Sequence, residues 1–344
     1  MSVSLSVRCV QRPKVEDMPA EAEPGGDPVV TNSLATTVSV IIPSYNSGAT
    51  IGQTLDHLQA QTAAEKIQEV IVVDSSDDKI TKSTLARYAN DKIRTITSGV
   101  RVMPAIQRNI GAQSARGDVL CFIDADAYPA DDWVERVLEA YSNGTRVGGG
   151  SYLVPPFQKE NKLAVAQYYL EFNEYIDTGQ PRPKRMIPTC NMFCERNLFD
   201  SVGGIPEIRA SEDTLFGLNV GQIQRMTFFP DIKVYHIFRE NLDHYLSNQV
   251  LLGTYIYVYR MYHYNSIYLQ RAYFPVLYPA FVVVKFLRIF VRIVMAGPEH
   301  WRGFAWSAPL FFKGLRHWGK GFSQGCKEYD SLKMGLKLNN YDEP

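Results

Sequence analysis

The chain has 344 residues, and its 36 basic and 36 acidic side chains leave no net formal charge. This balance argues against nucleic acid as a partner, since proteins that hold nucleic acid expose an excess of basic residues, and the length suits one sizeable catalytic domain with an appendage. The five cysteines show no Cys-x-x-Cys spacing, which predicts reduced thiols and a cytoplasmic protein.

The predicted elements begin after an irregular leader. Residues 1–36 are rich in acidic residues, proline and glycine, which predicts a disordered segment without a secretory signal. From residue 38, short apolar runs alternate with helical segments at the spacing of βαβ units. Strands are predicted at 38–43, 69–74, 93–97 and 119–124, and helices at 49–61, 81–89 and 104–114.

Beyond residue 124 the pattern is less regular. A strand is predicted at 148–154, a helix at 163–172, an extended segment at 186–194 and a further helix that ends near Val220. Ser211 would cap this last helix, and two acidic residues would lie in its first turn, where the helix dipole favours negative charge. Together the elements predict an α/β fold with a Rossmann-like, mostly parallel central sheet and flanking helices.

Three of the predicted strands are followed by polar residues. VSVIIPSYN ends at Asn46, EVIVVDSS contains Asp74, and VLCFIDADA contains Asp124 and Asp126. In an open α/β sheet, ligands bind at the carboxyl ends of the strands. A divalent cation that holds a diphosphate prefers a few hard carboxylate oxygens, with water and phosphate completing its coordination. These residues therefore predict an enzyme that uses a metal ion and a nucleotide diphosphate.

Eight motifs follow one another in a recognisable order: Pro43-Ser-Tyr-Asn46, Asp74, Arg108-Asn-Ile-Gly111, Asp124-Ala-Asp126, Asn191-Met-Phe, Val202-Gly-Gly204, Glu212-Asp213 and Val234-Tyr-His236. In this order they resemble the family 2 glycosyltransferases of the GT-A fold, and the match covers residues 37–260. The resemblance implies an inverting transfer of a sugar from a nucleotide-diphosphate donor, UDP- or GDP-linked, to an acceptor hydroxyl.

The resemblance also implies roles on the donor side. Pro43, Tyr45 and Asn46 would border the nucleoside. Asp74 would accept a hydrogen bond from the base or the ribose. Arg108 would pair with phosphate oxygens, because a guanidinium presents its donors in a fixed fork.

The metal and the reacting groups would lie further along the chain. Asp126 would bind Mn²⁺ or Mg²⁺ directly, with His236 as an additional ligand. Asp124 would contact the ribose or a metal-bound water. The resemblance assigns the general base to Asp213, because an inverting displacement needs a carboxylate beside the acceptor hydroxyl. Glu212 would position the acceptor or the donor sugar, and Asn191 would bind substrate from a segment that lines the acceptor side in similar proteins.

Each of these residues also has an ordinary structural interpretation. A strand-end aspartate can form a turn, an arginine can pair on a helix face, and a histidine between apolar residues can belong to the core. Two loops depart from the family pattern: Ser-Ser-Asp-Asp follows Asp74, and Gly-Gly-Ile-Pro-Glu occupies 203–207. The contacts to the base and the acceptor wall are therefore expected to differ.

The C-terminal part predicts an amphipathic helical region at 261–330, followed by a tail at 331–344. Residues 276–295 are apolar except for Lys285, Arg288 and Arg292, whose spacing places them on one helical face. With Trp301, Trp306 and Trp318 close behind, this pattern predicts a helix on an anionic membrane surface, at the inner face of the plasma membrane. The alternatives are helices that pack on the catalytic domain or that form a dimer.

Three functions remain open at this stage. The first is a glycosyltransferase with a glycan or lipid-linked acceptor. The second is a nucleotidyltransferase, for which Ser44-Tyr-Asn-Ser-Gly48 is a poor phosphate loop. The third is a membrane-associated protein that binds nucleotide sugars without catalysis. A dehydrogenase is disfavoured, because the sequence lacks Gly-x-Gly-x-x-Gly after the first strand.

Overall fold

A computed structural model describes residues 36–264, 267–270 and 273–337. The leader predicted at 1–36 lies outside the described residues, apart from Thr36. The described strands, in chain order, are β1 (Val38–Ser44), β2 (Ile67–Asp74), β3 (Ile93–Thr97), β4 (Val119–Ile123), β5 (Ala127–Pro129), β6 (Val147–Leu153), β7 (Arg182–Lys184), β8 (Asn191–Glu195) and β9 (Met226–His236).

Helices connect and cover these strands. The described α-helices are α1 (Ile51–Gln59), α2 (Lys79–Tyr88), α3 (Pro104–Ser114), α4 (Trp133–Ser142), α5 (Lys162–Glu171), α6 (Arg196–Ser201), α7 (Glu212–Gly221), α8 (Leu242–Tyr264), α9 (Phe274–Met295) and α10 (Pro298–Lys337). The domain boundary predicted after residue 260 lies inside α8, and residues 331–337 of the predicted tail belong to α10.

The strands form one sheet in the order β3-β2-β1-β4-β8-β6-β9-β5, with β7 paired to β9. Strands β1, β2, β3, β4, β6 and β9 share one direction, and β5, β7 and β8 run the opposite way. The predicted α/β fold with a mostly parallel central sheet is therefore confirmed.

The sheet is covered by helices on both faces, which explains why its strands read as continuous apolar runs. In β1, Val40 and Ile42 pack toward α1, α2 and α4, whereas Ile41 packs toward α3, α5 and α6. Glu69 is a buried exception in β2, and its carboxylate accepts hydrogen bonds from Arg94 and from the backbone N–H of Arg116. Both the apolar packing and this buried ion pair hold the parallel strands together.

The long helices α8 and α10 pack against each other at glycines. A Cβ on Gly253 would lie 2.0 Å from the carbonyl oxygen of Trp318, and a Cβ on Gly321 would lie 2.0 Å from that of Val250. Trp318 and Phe311 of α10 are buried, so part of the aromatic tail belongs to the core. This part of the tail packs on the rest of the protein, as one of the alternatives predicted.

Helix α9 has one face on the protein and one face exposed. Ile289 and Ile293 are buried, whereas Val283, Leu287 and Val291 are 53%, 50% and 54% exposed. Within the described residues, no helix combines the length and the apolar character needed to span a membrane.

Candidate active site

The sheet brings the predicted strand-end residues to one edge. In the parallel register of β1 and β2, Ser44 is opposite Asp74, and β1 pairs with β4 on its other side. The carboxyl ends of these three strands are therefore neighbours. Tyr45, Asn46 and Asp124, which follow the strands, emerge at the same edge.

Two of the residues assigned to the nucleoside hold the loops of this edge in place. Asp74 is 1% exposed, and its Oδ1 accepts hydrogen bonds from Ser44 Oγ at 2.8 Å and Ser76 Oγ at 2.5 Å. Asn46 has a positive φ of 51°, and its Oδ1 accepts from the backbone N–H groups of the loop after β2. Pro43 is buried within β1, which corrects the expectation that its side chain borders the nucleoside.

Two further residues at this edge escaped the sequence analysis. The guanidinium of Arg101 lies 4.2 Å from the ring centre of Tyr45, which places a cation at the half-buried aromatic side chain. The buried Gln107 donates from Nε2 to the carbonyls of Ser44 at 2.7 Å and Val73 at 2.9 Å, so it ties β1 to β2. Its position directly before the motif that begins at Arg108 was the available signal.

Arg108 joins the two acidic parts of the site. It projects from α3 and is 3% exposed. Its Nη2 donates to Asp124 Oδ1 at 2.6 Å, and its Nη1 lies 3.4 Å from Glu212 Oε1. Burial opposes the charge of the guanidinium, but the two carboxylates outweigh burial and raise the pKa of Arg108. Its Nε is buried and has no hydrogen-bond partner.

Asp126 and His236 are brought together by the pairing of β5 with β9. Ala127 is opposite His236 in this antiparallel pair, and the N–H of Ile237 donates to the carbonyl of Asp126 at 2.7 Å. As a result, Asp126 Oδ1 lies 3.8 Å from His236 Nε2. His236 is 6% exposed, whereas Asp126 is half-buried at the cavity described below.

The two side chains fit a small divalent ion as a partial ligand set. Two ligands at about 2.1 Å from one ion can be up to about 4.2 Å apart, so the observed spacing allows both to bind. Among the described residues, no group of three or more His, Cys, Asp or Glu side chains is arranged to hold an ion. Other oxygens, such as those of a diphosphate or of water, would have to complete the coordination.

Glu212 and Asp213 open α7 opposite the strand ends. The residue before them, Ser211, has a positive φ of 70°, a conformation that is strained for a residue with a Cβ. Its side chain makes no capping hydrogen bond, which corrects the predicted cap. Burial and the neighbouring Asp213 raise the pKa of Glu212 to about 7, and burial also raises the pKa of Asp213. Both carboxyl groups thus titrate above the range of exposed acids.

Asn191 has a structural role in the middle of the sheet. It is 1% exposed, its Oδ1 accepts from Trp133 Nε1, and its Nδ2 donates to the carbonyls of Ser151 and Ile232. These bonds use both ends of the amide. This corrects the expectation that the Asn191 side chain binds substrate, whereas Pro188, Thr189 and Cys190 of the same segment line the cavity.

A cavity of about 610 Å³ collects the remaining site residues. Its wall includes six of the predicted side chains: Arg108, Asp124, Asp126, Glu212, Asp213 and His236. The opposite wall comes from α8 and α9 and includes Lys285, Arg288 and Arg292. The basic side chains of α9 therefore line the cavity, and its association with a membrane surface stays a prediction.

Comparison with known proteins agrees with this geometry. Residues 39–203 match the family model described as glycosyl transferase family 2. The match covers slightly less than half of the chain, and it supports a likeness of this region to glycosyltransferase family 2. The matched region runs from β1 to the Gly-Gly turn and includes Asn46, Asp74, Arg108, Asp124 and Asp126.

Two curated relatives come from Haloferax volcanii. Glycosyltransferase AglE is 28% identical over 172 residues, which is 49% of this chain and 56% of that protein. Glucosyl-dolichyl phosphate glucuronosyltransferase is 29% identical over 181 residues, which is 48% of this chain and 55% of that protein. The chain thus spans about half the length of these curated relatives.

One solved structure extends the likeness to most of the chain. The mannosyltransferase PcManGT from Pyrobaculum calidifontis, in complex with GDP-Man and Mn²⁺, is 18% identical. It aligns with a TM-score of 0.54 over 89% of this chain and 88% of that protein. At this level of identity the likeness shows a shared GT-A fold.

Proposed function

We propose that this chain transfers a sugar from a nucleotide-diphosphate donor to an acceptor hydroxyl with inversion of the anomeric centre. One observation carries the proposal: a single cavity has Arg108, Asp124 and Asp126 on one wall and the carboxyl group of Asp213 on another. A phosphate-binding group and a base in one cavity are what a direct displacement requires. The match of residues 39–203 to glycosyltransferase family 2 and the names of the relatives support the same reaction.

The nucleotide would bind at the carboxyl ends of β1, β2 and β4. The Tyr45 ring and the Arg101 guanidinium above it offer a flat face and a charge to a base and its phosphates. Asp74 and Asn46 would act mainly by shaping the loops that receive the nucleoside. UDP- and GDP-linked sugars are the donors to test, and the similar mannosyltransferase PcManGT was solved with GDP-Man.

Asp126 and His236 would hold a divalent ion, Mn²⁺ or Mg²⁺, on the donor side. Such an ion supplies a positive charge that stabilises the departing diphosphate. Arg108 would add its own charge to the phosphates and keep Asp124 in place through the 2.6 Å hydrogen bond. The neighbour of known structure carries Mn²⁺, which supports a divalent ion for this site.

Asp213 would act as the general base. The acceptor oxygen bonds to the anomeric carbon, its proton moves to the Asp213 carboxylate, and the bond from the anomeric carbon to the diphosphate oxygen breaks. Burial in the cavity raises the pKa of Asp213 and so makes the carboxylate a better proton acceptor. Glu212, held by Arg108, would orient the sugar beside it.

Calorimetric titration with UDP- and GDP-linked sugars, with and without Mn²⁺ or Mg²⁺, tests the donor site. We expect metal-dependent binding of one donor by the wild type and at least about tenfold weaker binding by Asp126→Ala. Asp131→Ala is the matched control, since Asp131 is 80% exposed and lies outside the cavity. Binding of no donor by the folded wild type, or equal binding by Asp126→Ala, would contradict the proposal.

We also propose that the protein works at an anionic membrane surface, at the inner face of the plasma membrane. The exposed face of α9 continues into Trp301, which is 49% exposed, and Trp306, which is 41% exposed. Aromatic rings with the neighbouring exposed Arg302 suit the headgroup level of a bilayer. Flotation with phosphatidylglycerol vesicles tests this: we expect Leu287→Glu to reduce binding, and equal flotation of both proteins would contradict it.

A further inference from the structure

We infer that the acceptor is a sugar or glycan joined through a phosphate or diphosphate to a long apolar chain, and that its phosphate binds between α8 and α9. The inference rests on the proposed function, because it concerns the acceptor wall of the same cavity. Two features carry it: three basic side chains without acidic partners, and an apolar groove that opens from the same wall.

The basic side chains are Arg260 from α8 and Lys285 and Arg288 from α9. All three line the cavity that holds Asp213. Lys285 lies 4.6 Å from the ring centre of Trp318, a contact with an aromatic face rather than with an anion. In the part of the chain that the structure describes, no carboxylate lies within 4.0 Å of the charged nitrogens of these three residues.

The acidic residues on this wall are already engaged elsewhere. Glu174 pairs with Arg292 at 2.8 Å and with Lys184 at 3.2 Å. Glu171 accepts hydrogen bonds from the amides of Gln249 and Asn248. The positive charge of Arg260, Lys285 and Arg288 is therefore not balanced by direct ion pairs, and a bound anion would balance it.

Burial and mutual repulsion both disfavour the charged forms of these residues. Burial and the nearby charge of Arg260 together lower the pKa of Lys285 to about 8. Burial also lowers the pKa of Arg260, and Arg288 adds to the effect. A phosphate group near the three cations would reverse these repulsions, because it offers several charged oxygens to guanidinium and ammonium donors.

The apolar groove begins where the basic cluster ends. It has a volume of about 460 Å³ and is lined by Tyr264, Tyr268, Leu277, Ala280, Phe281 and Val284. Arg260, Phe281 and Val284 line both this groove and the catalytic cavity, so the two spaces adjoin at these residues. Val284 is 45% exposed, so part of its side chain is accessible from the groove.

The order of groups along this path identifies the ligand. Carboxylates and the cations Lys285 and Arg288 line the catalytic cavity, Arg260 lines both the cavity and the adjoining groove, and apolar side chains line the groove beyond. A sugar hydroxyl near Asp213, a phosphate near Arg260 and an apolar chain along Phe281 and Val284 match that order. A free glycan would leave both the cations and the groove without a partner, which favours the lipid-linked acceptor.

Binding of dodecyl phosphate, below its micelle concentration, tests the site on the full chain without donor or metal. We expect dodecyl phosphate to bind at least about tenfold more tightly than inorganic phosphate or dodecanol. The double variant Lys285→Met with Arg288→Met should weaken the binding about tenfold or more. Val284→Asp should weaken the binding of dodecyl phosphate without changing the weak binding of inorganic phosphate.

The matched control is Lys313→Met with Arg316→Met, an exposed pair with the same three-residue spacing on α10. We expect this control to bind dodecyl phosphate like the wild type. Equal binding by the Lys285/Arg288 variant would overturn the inference, as would equal affinity of the wild type for dodecanol, which would indicate an apolar surface only. Tight binding of inorganic phosphate alone would also overturn it, because the site would then take a free anion.

A second arm separates this inference from the proposed function. Calorimetry with the nucleotide sugar and Mn²⁺ should give the same affinity for the wild type and the Lys285/Arg288 variant. Donor binding without any dodecyl phosphate binding would overturn the acceptor site and leave the proposed transfer intact. With donor present, transfer to a sugar linked through phosphate to a dodecyl chain should exceed transfer to the free sugar, and the reverse order would overturn the inference.

Discussion

At the scale of single residues, Arg108 organises the site because it contacts both acidic groups at once. Its guanidinium reaches Asp124 from one nitrogen and Glu212 from the other, and the side chain is almost completely buried. A lysine carries the same charge but has a single ammonium group, so it cannot span both partners with the same geometry. The planar fork, rather than the charge alone, is what the site uses.

Arg108→Lys is therefore expected to lower kcat by about a hundredfold, since a misplaced catalytic group commonly has an effect of this size. Steady-state transfer rates at saturating donor measure it. Arg116→Lys is the control, because Arg116 is 61% exposed and lies away from the cavity. An unchanged kcat in Arg108→Lys would show that the orientation of the carboxylates does not depend on the fork.

The Glu212 and Asp213 pair gives the reaction an expected pH dependence. The groups that face the pair are Arg108 from α3 and Asp124 after β4, and burial raises the pKa of both acids, that of Glu212 to about 7. A base must be ionised to accept a proton, so the rate should rise with pH as the pair loses its protons and fall below neutral pH. The pH dependence of kcat/KM, measured at saturating metal, reports this rise, which is the acidic limb of the profile.

Glu212→Gln supplies the control for that profile. The substitution removes one negative charge beside Asp213 while it keeps a side chain of similar size. We expect the limb to move to lower pH, because the remaining carboxylate loses a neighbour that disfavours its ionised form. Unperturbed carboxyl groups have pKa values of about 4, so they stay ionised from about pH 5 to about pH 8. A wild-type rate that does not change over this range would contradict the assignment.

At the scale of elements, the parallel strands of the first half could be read from the sequence. Their apolar runs are buried on both faces, and that burial leaves a continuous signal with polar residues at its end. Asn191 was misplaced because an amide in a buried strand looks the same in sequence whether it faces a ligand or the backbone of its neighbours. Strand β8 runs antiparallel in the middle of the sheet, and only the three-dimensional pairing reveals this.

That the basic side chains of α9 line a cavity could not be read from the sequence, for a related physical reason. A basic stripe on an apolar helix suits an anionic bilayer, and it equally suits a protein cavity that binds an anion. Lys285 and Arg292 line the cavity, whereas the apolar residues on the other side of the helix are exposed. Helical spacing shows which residues share a face, and it carries no information about what that face meets.

Contact between α8 and α10 depends on Gly253. A Cβ at this position would lie 2.0 Å from the backbone oxygen of Trp318, so the helices would have to move apart. Gly253→Ala is expected to lower the free energy of unfolding by about 1–3 kcal/mol, the usual effect of overpacking, despite the higher helix propensity of alanine. Urea denaturation followed by circular dichroism measures the loss.

Gly221→Ala is the matched control for this contact. A Cβ at Gly221, at the end of α7, would meet nothing within 4 Å. The substitution should leave stability within about 0.5 kcal/mol of the wild type, as is usual for changes away from packed surfaces. Equal stability of Gly253→Ala and Gly221→Ala would show that α8 and α10 tolerate a wider separation.

At the scale of the whole molecule, two parts of the chain enclose one cavity. The sheet supplies the strand-end residues, Arg108 and the Asp126–His236 pair, whereas α8 and α9 supply the basic and apolar wall opposite. The sequence indicated the first part through its ordered motifs. It could not indicate that the C-terminal helices complete the same cavity, because that depends on how α10 packs along α8.

This arrangement assigns the donor to the sheet side and the acceptor to the helical side, with Asp213 between them. Substitutions on the two sides should therefore separate in their effects. Changes at Asp126 should act on donor binding, and changes at Lys285 and Arg288 should act on the acceptor. Asp213 should affect the reaction itself, since it contacts neither the diphosphate nor the apolar chain in the proposed arrangement.

The most direct test of the central claim is the single-turnover transfer rate of Asp213→Asn, measured at saturating donor and metal with the donor affinity determined in parallel. We expect a loss of about a thousandfold in rate, within the range of general-base catalysis, and an unchanged donor affinity. A variant that binds the donor and transfers the sugar at the wild-type rate would contradict the claim that this cavity performs base-assisted glycosyl transfer.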